Sequence, residues 1–176
     1  MAKRKSRIAL RLGSEADGLR EAGGIAAEIL RMVSEEVKPG ITTGELDKIV
    51  GELIAEKDCI SAFLGYKGFP ANACVSVNEE IVHGIGGPRE LVSGDIVKID
   101  VGIQTRNGWI GDNAKTVAVG EVEPDTEELM RATEESLHQA ISHAREGELL
   151  SALCASVENY VVNFGFTVVK QFVGHG

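Results

Sequence analysis

The sequence predicts an α/β (α+β) domain, an antiparallel sheet flanked by helices, with a second half that starts to repeat the first and is incomplete. Three observations carry that prediction. Apolar residues recur at helical spacing in four stretches, and two β-branched, alternating stretches surround Arg106-Asn107-Gly108. The order helix, glycine-containing turn, helix, strand, His-Gly occurs twice.

Bulk properties narrow the function classes. A chain of 176 residues is one domain or part of a larger one. Its 18 Lys and Arg against 27 Asp and Glu, net −9, argue against a DNA partner or an anionic membrane surface. No apolar run approaches the roughly 18 residues of a membrane span. The basic start AKRKSR lacks the apolar core of a signal peptide, so residues 1–13 read as a basic flexible terminus and 14–176 as the folded domain. Cys59, Cys74 and Cys154 show no paired spacing, which fits reduced thiols in a cytosolic protein, each a small buried hydrophobe.

Ser14 to Val37 is expected to be helical, with Ser14 as N-cap and Leu19, Ala22, Ala26, Ile29, Leu30 and Val33 as its apolar stripe. Lys38-Pro39-Gly40 ends it. A second helix opens with a capping box between Thr42 and Glu45 and carries Leu46, Ile49, Val50, Leu53 and Ile54 inward. Residues 61–72 break the periodicity and place Phe63, Tyr66 and Phe69 in one glycine-rich loop, where aromatics either pack beneath the loop or line a pocket. Ala73 to Val77 is a short strand, and His83 then meets a run of glycines.

The central stretch runs from Asp95 to Thr116. Asp100 sits in the middle of an apolar strand, where a carboxylate is costly unless paired, hydrogen-bonded or bound to a cation. Asp112 lies on the returning strand, so register decides whether the two meet. A two-residue Asn107-Gly108 turn sets Asp100 opposite Lys115 and sends Asp112 to the other face, unless a bulge at Gly111 restores it. A three-residue loop ending in a left-handed Gly108 makes Asp100 and Asp112 diagonal neighbours on one face. Two like charges there repel and favour a cation between them, whereas a Lys partner for Asp100 and a solvated Asp112 would need none.

Asp125 to Ala144 is a third helix, with a box between Asp125 and Glu128 and Leu129, Leu137, Ala140 and Ile141 buried; His138 and His143 belong to its solvated side. Leu149 to Phe164 is a fourth, stopped by Gly165. Phe166 to Val173 follows as a strand that delivers Gly174-His175-Gly176. In the first half His83-Gly84 is followed by the acidic hairpin. If the repeat holds, the second half lacks its counterpart, and apolar surface on the fourth helix is left uncovered.

The ordered motifs CISAFLGYKGFPANACVSVNEEIVHGIG, GDIVKIDVGI, GWIGDNAKT and FVGHG resemble those of the type I methionine aminopeptidases, from about Ser14 to Gly176. The resemblance implies the pseudo-symmetric pita-bread fold and a cytoplasmic metallo-aminopeptidase. Such a hydrolase removes the N-terminal methionine of nascent proteins with two divalent ions (Co, Mn, Fe or Zn) that activate water. Residue by residue, it implies Asp100, Asp112 and His175 as metal ligands and His83 as the catalytic-site histidine contacting substrate. Tyr66, Phe69 and Cys74 fall on the lining of the methionine pocket, and Phe63 stands there in place of a frequent cysteine. Implied partners are N-terminal methionine peptides and, transiently, the ribosome; the complete enzyme is expected to be a monomer that binds neither DNA nor membrane.

Departures from the family pattern accompany the match. Two glutamate ligands and a second histidine lie beyond the GHG motif in the family, so a C-terminally truncated chain with weak or single-site metal binding and little activity is expected. The Asp100 to Asp112 interval is one residue longer, HGIG replaces HGIP, and Glu146 stands for a proline. The alternatives are a non-catalytic pita-bread binding module and a proline-specific relative such as aminopeptidase P or prolidase.

Overall fold

The computed structural model describes residues 10–175. Most of the basic terminus, residues 1–9, and Gly176 of the GHG motif lie outside them. The chain divides into two compact units, Met1–Glu121 and Val122–Gly176.

In the first unit, α1 (Ser14–Glu35) and α2 (Thr43–Glu56) cover one face of a four-stranded antiparallel sheet. Its strands are β1 (Ile60–Ser61), β2 (Cys74–Val77), β3 (Ile96–Gln104) and β4 (Ile110–Ala118). β4 pairs with the whole of β3 along one edge, while β1 and β2 share the other edge. Period-two alternation in β3 turns Val97, Ile99, Val101 and Ile103 toward the helices, all fully buried. They join Ala22, Ala26, Ile29 and Val33 of α1 and Leu46 and Val50 of α2 in one core.

Two details of the helices differ from expectation. Gly13, not Ser14, is the N-cap of α1, and no side chain caps it. Leu19 stays 40% exposed, and Gly18 takes the inward position because Trp109 packs where a side chain would stand, 2.2 Å from an ideal Cβ. The capping box of α2 forms as read: Glu45 N–H donates to the Thr42 hydroxyl, and the Glu45 carboxylate accepts from Thr42 N–H.

The hairpin takes the three-residue loop. Gly108 is left-handed at φ 84, its N–H donates to Thr105 O, and Thr105 N–H donates to Trp109 O. Arg106 is held in a fork by Asp58, beyond the end of α2.

The second unit pairs α3 (Pro124–His143) with α4 (Leu150–Val162). The Tyr160 hydroxyl donates to Glu135, which also holds Arg131, and Arg131 lies 5.1 Å above the Phe164 ring. Gly165, at φ 79, ends α4 with Phe166 N–H donating to Val161 O and Gly165 N–H to Val162 O, satisfying two terminal carbonyls. Four expectations are corrected here. The Asp125–Glu128 box is absent: α3 begins one residue earlier, with Pro124 in its first turn and Glu123 as an N-cap that makes no side-chain bond. Leu129, Leu137 and Ile141 are exposed, whereas Ala140 of the expected stripe is buried together with Ala132 and Ser136, because α4 approaches the small side of α3. Residues 166–173 form no strand, since a strand exists only through pairing and no described segment pairs with them. Nor are all three cysteines buried: Cys74 is, Cys59 is half-buried and Cys154 is exposed on α4.

Candidate metal centre and adjoining pocket

The register of β3 and β4 determines the site. Asp100 pairs with Ala114 and Gly102 with Asp112, so both carboxylates rise from the sheet face opposite the helices, as diagonal neighbours. Cys74 of β2 pairs with Asp100 on its other side. The Asp112 carboxyl is close enough to act on the Asp100 carboxyl. The Oδ1 of Asp100 is buried with no hydrogen-bond partner.

Electrostatics follow from that crowding. Burial pushes the Asp100 carboxyl up to about 7, helped by the neighbouring Asp112 carboxyl and its charge. Burial likewise raises the Cys74 thiol to about 12; the charges of Asp100 and Asp112 add to it, and a hydrogen bond from the His83 backbone opposes it. Cys74 is therefore an inert thiol in the wall and not a nucleophile. A buried carboxylate oxygen without a partner, set beside a second carboxylate, is a donor set that suits a cation.

Around the pair stand the residues of the aromatic loop. The Phe63 ring lies where a side chain on Gly102 would be, 2.3 Å from an ideal Cβ, and hence on the same face as Asp100 and Asp112. Phe69 meets Phe63 edge to face with centroids 6.4 Å apart. Tyr66 is 64% exposed, with the Lys67 ammonium 5.3 Å from its ring centroid. His83 is exposed and left-handed, at φ 61. Val75 N–H donates to Gly84 O and Gly84 N–H to Ser76 Oγ, tying this segment along β2; a Cβ on Gly84 would lie 2.3 Å from Val75 O. His175 belongs to the second unit and is exposed. Among the described residues, no group of three or more His, Cys, Asp or Glu side chains is gathered as a metal site.

A model of metallopeptidase family M24 matches residues 17–176. The chain belongs to that family. Within it the resemblance is to the type I methionine aminopeptidases. Methionine aminopeptidase 1 of Bacillus subtilis is 46% identical over 158 residues, which cover 90% of this chain and 63% of that protein. The crystal structure of methionine aminopeptidase from Thermotoga maritima superposes with a TM-score of 0.93 at 36% identity, covering 97% of this chain and 68% of the other. The chain thus spans about two thirds of the length of these relatives. The fold is the pita-bread architecture, an open antiparallel sheet with flanking helices. A prolidase from Pyrococcus horikoshii, 19% identical with a TM-score of 0.76, shares the fold alone. Among the described residues no helix is long and apolar enough to cross a membrane.

Sequence reasoning missed three residues that shape the sheet and loops around the candidate site. Gly102, inside a strand pattern, signals close approach by another group, here Phe63. Asp58 gave no local signal, since its partner Arg106 is distant in sequence. Asp47, on the face of α2 next to the apolar stripe, was legible as a polar position at helical spacing from Thr43.

Proposed function

We propose that this chain carries the carboxylate side of a methionine aminopeptidase site, for cytoplasmic hydrolysis of the first peptide bond of nascent proteins that begin with methionine. The observation that supports it is the buried, unpartnered Oδ1 of Asp100 beside Asp112. Asp100 and Asp112 would hold divalent metal (Co, Mn, Fe or Zn), with His175 as a third ligand. When bound, the metal would supply Lewis acidity and an activated water.

The chain's own residues account for the rest of the reading. Phe63 and Phe69 would wall an apolar pocket for the methionine side chain and shield the carboxylates from solvent, with Cys74 as an uncharged floor and Tyr66 at the rim. His83, its backbone fixed along β2, would offer its imidazole to the substrate near the scissile bond. Two carboxylates on one face make a weak, single metal site by themselves, so slow or no turnover is expected of this chain alone. Ribosome association and a monomeric complete enzyme remain part of the same proposal.

The test is an assay of the 176-residue chain on a Met-Ala-Ser peptide with cobalt or manganese. The expected result is little turnover together with metal uptake that Asp100→Asn weakens. Turnover comparable to that of a full-length relative would overturn the slow-turnover reading. A chain that binds manganese equally well with and without Asp100 would overturn the metal assignment. A binding module of the same fold would take up the peptide without hydrolysing it under any metal.

A further inference from the structure

The aromatic loop and the His83 segment flank β2 on either side in sequence, and both are fastened to the first two turns of α2. Thr43, Asp47 and Gly51 follow one another at four-residue spacing, so they form a narrow stripe beside the apolar one. Thr43 is buried, and its hydroxyl accepts from Gly87 N–H at 3.0 Å and donates to Gly87 O at 3.2 Å. Gly44 N–H donates to the same carbonyl at 2.8 Å.

One turn further, the Asp47 carboxylate takes the other segment. Its Oδ1 accepts from Asn72 N–H at 2.8 Å and Ala73 N–H at 2.9 Å, and its Oδ2 from the Asn72 side-chain amide at 3.3 Å. Asn72 O in turn accepts from the Ser61 hydroxyl at 2.8 Å, and Ser61 Oγ accepts from Phe63 N–H and Leu64 N–H, both at 3.1 Å. The chain joining Ser61 to Asn72 is therefore closed at its base, with Phe63, Tyr66 and Phe69 inside the closure. Asp47 also touches the His83 side: a Cβ on Gly86 would lie 2.8 Å from Asp47 Cβ and 2.9 Å from Thr43 O. A Cβ on Gly51 would lie 2.8 Å from the Asn72 amide. Glycine at these two positions lets both segments reach the helix.

We propose that Asp47 is the positioning residue of the candidate site, a carboxylate that fixes the aromatic loop against α2 while its contact with Gly86 sets the distance to the His83 segment. The claim rests on the pocket reading above for its purpose, and on hydrogen bonds for its mechanics. A carboxylate accepting from two backbone amides makes charge-assisted bonds, stronger than neutral ones and costly to remove. With Asp47 gone, the amides of Asn72 and Ala73 lose their acceptor, and the loop base opens while β3 and β4 keep their ladder.

The experiment is hydrogen exchange, read by mass spectrometry on the 176-residue chain, with a parallel titration of L-methionine in the presence of manganese. Asp47→Ala keeps the Cβ that meets Gly86 and removes the carboxylate, so it is expected to speed exchange about tenfold in residues 62–73, with residues 83–87, β3 and β4 unchanged, and to weaken methionine binding about tenfold at constant manganese stoichiometry. Asp47→Asn keeps the shape and an acceptor oxygen, so it should stay within about threefold of wild type. Unchanged exchange in residues 62–73, or equal acceleration through β3 and β4, would overturn the proposal. Failure of wild type to take up methionine would overturn the pocket reading instead, and exchange would still decide the role of Asp47. If Asp47→Ala does not fold, Ser61→Ala serves: faster exchange at residues 62–64 supports the closed loop base, and wild-type exchange there overturns it.

Discussion

The two units of this chain use similar helical patterns to different ends. In the first, the stripes of α1 and α2 vanish into a core with the odd-numbered residues of β3. In the second, Leu129, Leu137 and Ile141 on α3 and Leu150 on α4 remain exposed, and the buried positions are mostly small. An apolar stripe states what a helix can bury; whether it does so depends on a sheet or a second helix standing opposite. The carboxylate pair, the aromatic loop and the His83 segment all belong to the unit where the core is built, as a pre-organised site requires.

The strongest way to break this comparison is through the core. Ile99→Ala in β3 should destabilise the chain by about 3–4 kcal/mol, since Ile99 is fully buried in the centre of the sheet. Leu150→Ala, at a residue 75% exposed, should change stability by less than about 0.5 kcal/mol. Urea unfolding followed by Trp109 fluorescence measures the first, and far-ultraviolet circular dichroism covers both units. Equal losses would mean that the exposed face of α4 is covered in solution.

A second effect concerns the site itself. The Asp100 carboxyl has its folded pKa raised from 3.8 to about 7, so folding favours the protonated acid, and the metal-free chain loses stability as pH rises through that window. Asp100→Asn removes the penalty. With chelator present, it should match wild type near pH 4 and exceed it by roughly 2 kcal/mol at pH 8, about half of what a full shift carries. A variant less stable than wild type at pH 8 would contradict the crowding of Asp100 and Asp112.

The smallest effect compares two helix starts that look alike. Thr42→Ala removes a formed capping box and should cost about 1 kcal/mol. Asp125→Ala removes a residue that caps nothing and should cost no more than about 0.5 kcal/mol, through the helix dipole alone. Urea midpoints compare them directly.

These pairs also show which parts of the fold are legible in sequence. The Thr42–Glu45 box depends on four consecutive residues and is read correctly. The Asp125–Glu128 box follows the same rule and is displaced because Pro124 suits the first turn better. Arg106-Asn107-Gly108 is compatible with two registers; the three-residue loop forms with Gly108 left-handed, and the distant Asp58 holds Arg106 beside it. Residues 166–173 have strand composition, but pairing is not a property of one segment. Within the site, the odd placement of Asp100 is visible from its own strand, whereas the seating of Phe63 on Gly102 and the grip of Asp47 on Asn72 join segments that sequence spacing does not relate.

The most direct test of the carboxylate pair as a cation site is a manganese titration by calorimetry at pH 7.5 on wild type, Asp100→Asn and Asp112→Asn. Each variant keeps the shape of the side chain and removes one charge. A cation site built on this pair predicts single, weak binding in wild type and binding at least about tenfold weaker in either variant. Equal affinity in all three proteins would contradict it.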